Sequence, residues 1–471
     1  MLLNAIRLEK SSKEGKRSYM ERKTYVIKPE WGKEYPIVSH GKGIYLFDIN
    51  GKRYLDACSG AVTASIGHGV EEIGDTMKDQ ASKVSFAYRS HFTSQAVEAL
   101  AEKMANWAPG DLNWSFFVSS GSEATETAQK IAIQYWQEQG IMSKNRIMSR
   151  WMSYHGITMG ALSMSGHVLR RKRFVPLLAD YPSISPAYPY RYQEEKESIE
   201  QYARRAADEL ETAILRTGAE QIAAFIAEPI VGASGGAVVA PEGYFERIRE
   251  ICTNHNILFI ADEVMTGVGR TGKNFGIDHW NVAPDLMTLG KGMSAGYTPM
   301  ASTMVSDQIM QTIGAGSGSI MAGHTYSANP QSAAICLAVI TYLEKHDLVN
   351  KAAESGEYLL QQLKKVEEES LLIGEARGKG LLCGLEFVKN KTTKEPFPLA
   401  DGLTNKIIQR AFAKGLMLYP AGGGLDGVAG DAVIISPPLV ITKEEIDELI
   451  SILKETLQEI EAEIGRTQIT I

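Results

Sequence analysis

Cysteine is scarce. Four residues in 471, Cys58, Cys252, Cys336 and Cys383, lie far apart with no C-x-x-C pair. That spacing excludes disulfide frameworks and zinc ribbons, leaves reduced buried thiols as the reading, and gives no metal site. Long runs of one charge are also missing. With 49 basic against 56 acidic residues spread along the chain, neither a phosphate backbone nor an anionic membrane surface is an expected partner. Small molecules and other subunits remain. The longest apolar stretch, Ala333 to Leu343, is about half of what a bilayer crossing needs, so no membrane span is expected. The first twenty residues lack the apolar core of about 7 to 15 residues that a secretion signal carries, which points to the cytoplasm. No internal repeat or low-complexity tract stands out.

What is present is alternation. From about Trp114 onward, short apolar runs (SFFV, RIMS, IAAFIA, ILFIAD, DLMTL, MASTMV) alternate with helical patterns such as Glu123 to Gln139 and Tyr244 to Asn254. Such alternation predicts a doubly wound, mostly parallel α/β sheet. The first seventy residues read differently. There Asn50-Gly51 sits between apolar-rich runs and signals a hairpin. After about Asn329 a long helical pattern leads to the strand GLLCGLEFV and the amphipathic segment from Lys443, a second, smaller α/β unit. The division expected is 1–70 as an N-terminal segment belonging to the small domain, 71–330 as the large domain, and 331–471 as the rest of the small one. The glycine-rich stretches near 314–320 and 421–430 read as loops that either order around ligands or do nothing.

The first chemical candidate is a literal G-x-G-x-x-G from Gly267 to Gly272. It fails as a dinucleotide site, because the glycines lie beyond the strand end and no helix opens after them. Asp262 is more informative. It ends an apolar strand, where open α/β sheets place their ligand sites, although an acid there can also merely cap a loop. Lys291 follows another apolar strand between Gly290 and Gly292, whose missing side chains let the amine approach a flat ligand. A P-loop is excluded because Gly292, not Ser or Thr, follows the lysine. For an anion, FFVSSGSEATETAQKIA runs from strand through Gly121 and Ser122 straight into a helix, so amides and hydroxyls converge at a positive helix terminus. An amine, a ring-nitrogen partner and phosphate donors are what an aldehyde cofactor with a phosphate tail requires.

In this order the residues resemble the class III aminotransferases, the group of fold type I pyridoxal-phosphate enzymes that includes ω-amino acid and ornithine transaminases. The resemblance runs through YLDACSG with Gly67-His68, SSGSEA, SYHG, AEPI, ADEVMTGVGRTG, TLGKGMSAGYTP, GHTYSANP, EARGKGLLCGLEF and SPPL. It implies pyridoxal 5'-phosphate as cofactor, Lys291 as its Schiff-base partner and proton shuttle, and Asp262 on the ring nitrogen. It places Tyr154 and Val264 on the two ring faces, and Gly121 and Ser122 on the phosphate. Thr325 and the backbone of His324 would join them from the neighbouring subunit of an obligatory homodimer, with a tetramer as a further option. Arg377 would meet a substrate carboxylate, and Glu228 would be a supporting acid of unspecified role. His155 reads as structural.

Two positions depart from the family's pattern. Where the ornithine and aminobutyrate branches carry a second glutamate in EPIQGEAG, this chain has EPIVGASG with Ala233, so Arg377 is expected to lack a shielding carboxylate. That resembles the branch pairing pyruvate with amines, β-amino acids or ω-amino acids. Val62 stands where some amine transaminases have tryptophan. Besides the aminotransferase, a decarboxylase or aminomutase on the same scaffold, or a non-catalytic binding protein, are the alternative readings.

Overall fold

Strands that are apolar on both faces are stable only between two covering layers, and the central runs of this chain are of that kind. The computed structural model describes residues 24–469, with side chains through 465. The leader reading of the first twenty residues lies outside them. The N-terminal segment forms a meander of Val38–Lys42 (β1), Tyr45–Asp48 (β2) and Arg53–Asp56 (β3). It turns at Asn50-Gly51, where the Gly51 amide donates to the Asp48 carbonyl at 3.0 Å.

The large sheet is built from Trp114–Val118 (β4), Arg146–Arg150 (β5), Ser183–Ile184 (β6) and Ile222–Ala227 (β7). A short ribbon, Ile230–Val231 (β8) with Val238–Val239 (β9), then stands apart, before Leu258–Asp262 (β10), Leu286–Leu289 (β11) and Ala301–Val305 (β12) complete the large sheet. Its order is β4-β12-β11-β10-β7-β5-β6. All pairs are parallel except those of β12, which runs antiparallel to both neighbours. Every residue of β7 and β10 is buried, since helices such as Gly121–Glu138 and Tyr244–Asn254 cover the sheet. Phe225, Phe245 and Phe259 interlock beneath the second of these helices, with ring centroids 6.1 to 6.3 Å apart. Each contributes roughly 1.5–3 kcal/mol by burial.

Helices Pro330–Lys345 and Leu348–Glu369 lead into the C-terminal sheet of Ile373–Lys379 (β13), Leu382–Phe387 (β14), Tyr419–Gly422 (β16) and Asp431–Ile435 (β17). Leu416–Met417 (β15) leaves that sheet and pairs in parallel with β3, tying the N-terminal meander to the C-terminal third. No helix among the described residues is long and apolar enough to cross a membrane.

The stretch holding the G-x-G-x-x-G opens no helix and serves as a joint between these parts. From it the buried Arg270 donates to the Leu381 carbonyl at 3.0 Å, the Pro437 carbonyl at 2.5 Å and the Ser59 hydroxyl at 3.2 Å. One guanidinium thus links the large sheet's loop to the N-terminal segment and to the C-terminal unit. Replacing it strands three buried acceptors, so Arg270→Met is expected to cost about 2–5 kcal/mol. Urea unfolding followed by circular dichroism checks this, and an unchanged midpoint would refute the joint.

Candidate active site

The C-terminal edge of a parallel sheet collects strand ends and the loops after them, so side chains from distant sequence positions meet there. β10 brings Asp262, and β11 brings Thr288 in register beside it. The loop after β11 brings Lys291, which holds a φ of +38° that a residue with a Cβ adopts only under constraint. The loop after β5 brings Tyr154 and His155. The start of helix Gly121–Glu138 brings Gly121 and Ser122, with Ser120 as its N-cap accepting from the Glu123 amide at 3.3 Å. Asp262, Lys291, Tyr154, His155, Gly121 and Ser122 line a cavity of about 260 Å³ with Gly156, Arg170, Glu228, Val264, Met265 and Tyr419.

Asp262 is buried and doubly tied. Its Oδ2 lies 2.7 Å from His155 Nδ1, while Oδ1 accepts from the Thr288 hydroxyl at 3.0 Å and the Val264 amide at 3.1 Å. His155 is therefore not a bystander: its ring is clamped to the acid, and its backbone N–H donates to Ser165 Oγ at 2.8 Å. Its Nε2 is buried without a partner among the described residues. Glu228, whose role the sequence left open, accepts from the Tyr154 amide at 3.0 Å through Oε1 and from the Gly232 amide at 3.0 Å through Oε2. It positions the loop that carries Tyr154, and burial pushes its carboxyl upward. Burial likewise pushes the Lys291 amine below the ordinary lysine range, against the pull of Asp262 and Glu228. An amine so placed is more readily neutral, and so more nucleophilic, than one in water.

One wall of the cavity is flat because two glycines make it so. A Cβ on Gly121 would stand 2.8 Å from Val264 Cγ1, and one on Gly290 3.3 Å from the same methyl. Val264 is thereby pressed against both, while Ser122 Oγ accepts from the Ile157 amide at 3.0 Å. A planar ring with an acidic group beneath its nitrogen, an amine at its aldehyde and amides near an anionic tail fits this cradle.

Two expectations change, the position of Arg377 and its lack of a shielding carboxylate. Arg377 does not reach the cavity. It is buried, its Nη1 is 2.5 Å from Glu375 and 2.8 Å from Glu386, and its Nε and Nη2 donate to the Gly236 and Gly235 carbonyls at 2.9 and 2.5 Å. The carboxylate missing at Ala233 is replaced by these two, so the guanidinium is committed rather than free. His324 and Thr325 do not line the cavity of their own chain. His324 Nε2 is 2.9 Å from Glu123 Oε2, and Thr325 is exposed. Residues that sequence reading missed are Arg170, set among the basic residues of LRRKR, and Tyr419, which arrives from β16 of the C-terminal sheet.

Sheet, lysine, acid and glycine wall together define a fold type I transferase. The aminotransferase class-III family model matches residues 28–457, and the chain belongs to that family. An uncharacterized aminotransferase of Bacillus subtilis, YodT, is 52% identical over 94% of this chain and 99% of its own. The putrescine–pyruvate aminotransferase of Pseudomonas aeruginosa is 37% identical over 91% of each. Among solved structures, an (S)-enantioselective ω-transaminase from Thermomicrobium roseum is 37% identical with a TM-score of 0.85, over 90% of this chain and 93% of its own.

Two outcomes follow from the geometry. His155→Phe removes the ring nitrogen that faces Asp262 while keeping bulk, and is expected to lower kcat for the enzyme's reaction at least tenfold, about 1.4 kcal/mol of barrier. A variant at full rate would make the pair ornamental. Arg377→Ala leaves Glu375 without its cation and Glu386 with Arg191 alone, and is expected to cost about 3–5 kcal/mol of stability in chemical denaturation, whichever substrate is used. Full stability with selective loss of oxo acid use would restore the substrate role.

Proposed function

We propose that this aminotransferase binds pyridoxal 5'-phosphate through Lys291 and moves an amino group from an amine, ω-amino acid or β-amino acid to an oxo acid such as pyruvate. The reading is carried by one juxtaposition: a lysine amine and a buried, triply supported carboxylate facing the same flat-walled cavity. When bound, the cofactor supplies an electron sink for the bonds at the substrate's amine carbon. Lys291 would hold the cofactor through its aldehyde, and its amine is the group placed to carry a proton at the substrate's amine carbon. Asp262 would face the ring nitrogen and favour a proton there, and His155 holds the acid in place. Tyr154 and Val264 would hold the ring between them, and Gly121 and Ser122 would hold the phosphate.

His324 and Thr325 complete the phosphate site across a homodimer working in the cytoplasm. Their absence from the lining of their own chain's cavity and the exposure of Thr325 support that assignment. The pairing of an amine with pyruvate is supported by Ala233, which departs from the glutamate-bearing branches, and by the 37% identity to a putrescine–pyruvate aminotransferase. A decarboxylase or aminomutase would form product without a second oxo acid, so omitting pyruvate from the assay separates the readings.

Lys291→Ala removes the covalent anchor and the proton carrier but leaves Asp262 and the glycine wall. It is expected to retain noncovalent cofactor and to lose amino transfer by several orders of magnitude. Amino transfer to pyruvate and to 2-oxoglutarate from a panel of amines, β-amino acids and ω-amino acids, measured beside the wild type, checks both the mechanism and the donor class. Near-normal turnover in the variant overturns the assignment.

A further inference from the structure

An aminotransferase that uses an oxo acid must bind a carboxylate near the amine that does the chemistry, and the residue expected for that task is occupied elsewhere. Arg377 is spent on Glu375, Glu386 and two carbonyls. The neighbouring arginines are spent too. Arg150 donates to the Glu228 carbonyl, and Arg171 to the carbonyls of Ser163 and Ser165. Arg170 differs from all of them. It lines the cavity with Lys291, and its side chain has no hydrogen-bond or carboxylate partner among the described residues. It stacks on the face of Tyr154, with the guanidinium carbon 4.1 Å from the ring centroid. Stacking of this kind holds a guanidinium plane in place while leaving its N–H edge open, the geometry a carboxylate meets bidentately.

The two acids within reach do not take up that edge. Asp262 is held by His155, Thr288 and the Val264 amide, and Glu228 by the Tyr154 and Gly232 amides. The charge on Arg170 nonetheless reaches the reacting amine, since it adds to the depression of Lys291 that burial begins.

The short helix Val168–Arg171 that carries Arg170 is held from the C-terminal unit. A Cβ on Gly427 would stand 2.5 Å from Val168 Cγ2, and Gly427 has a φ of +85° that favours glycine. The same loop is fastened by Tyr192, whose hydroxyl donates to the Leu425 carbonyl at 2.9 Å. The glycine-rich stretch near 421–430 thus sets where the guanidinium stands.

We propose that Arg170 is the carboxylate-binding residue of this enzyme, gripping the acid group of the oxo acid acceptor and of amino acid donors at the cavity mouth. This assignment rests on the aminotransferase reading for its meaning, and its test separates the two. Arg170→Met and Arg170→Lys, each loaded with pyridoxal phosphate, are compared with the wild type using pyruvate against propanal as acceptors and β-alanine against propylamine as donors. In Arg170→Met the ratio of kcat/KM for acid over acid-free partner is expected to fall about 10²-fold, mainly through KM for the acid. Arg170→Lys, which keeps charge but loses the fork, is expected to lie between. Cofactor affinity, read from the visible spectrum on dilution, is expected to stay within about threefold, since a phosphate contact would weaken it along with the acid.

Equal losses for acid and acid-free partners overturn the assignment, and so does a cofactor that dissociates in parallel with the loss. The non-catalytic arm titrates propionate and propionamide by calorimetry. Propionate is expected to bind the wild type and to weaken at least tenfold in Arg170→Met, with propionamide indifferent to the change. Propionate binding both proteins alike overturns Arg170 whatever the turnover. A wild type that binds propionate through Arg170 yet transfers no amino group leaves Arg170 standing and overturns the aminotransferase reading alone.

Discussion

A carboxylate withdrawn from water costs free energy unless polar partners replace the water it loses, and Asp262 has three: the His155 ring, the Thr288 hydroxyl and the Val264 amide. The rest of the site is arranged around that satisfaction. Thr288 is available because β11 runs parallel to β10 in register, with Asp262 opposite Thr288. The Val264 amide is available because the chain turns at the strand end, and the same turn presses Val264 against Gly121 and Gly290. His155 is available because the loop after β5 is fixed by Glu228, which accepts the Tyr154 amide. Each support comes from a different strand.

Arginine use shows the same economy of partners. Arg377 and Arg191 converge on Glu386, each through its own carboxylate oxygen, with Glu375 adding a second acid to Arg377. Breaking a buried pair of this kind leaves an uncompensated charge, so these residues hold β13, β14 and the loop after β8 together rather than offering a movable grip. Arg170, stacked on an aromatic ring at the rim, keeps the freedom that Arg377 has given up. The two guanidiniums therefore have opposite duties, and the difference lies in which carboxylates the fold delivers to each.

Much of this was legible beforehand. The six central strands were readable because both their faces are apolar, and the helix from Gly121 because its apolar period is long and its start is capped. Asp262 and Lys291 were readable because each follows such a strand at the edge where ligands collect. His155 was not, since a lone histidine next to Tyr154 carries no local sign that a partner 107 positions later will clamp it. Arg377 was misread for the complementary reason: its settled neighbours come partly from β14 and partly from the carbonyls of Gly235 and Gly236, which are remote in sequence.

By itself, then, the sequence determined the alternation of buried strands and helices, the order of short motifs that marks the family, and the residue types able to do amine chemistry. These are local properties, written in hydrophobic period and in neighbouring residues. The tertiary structure alone decided which acid holds which base. The pairing of His155 with Asp262, the enclosure of Arg377 by two glutamates, and the arrival of Tyr419 and the Gly427 loop at the cavity all depend on strand order and domain contact. A charged side chain's function is set by the partners within a few ångströms of it, and in a doubly wound fold those partners come from chain segments far apart in sequence.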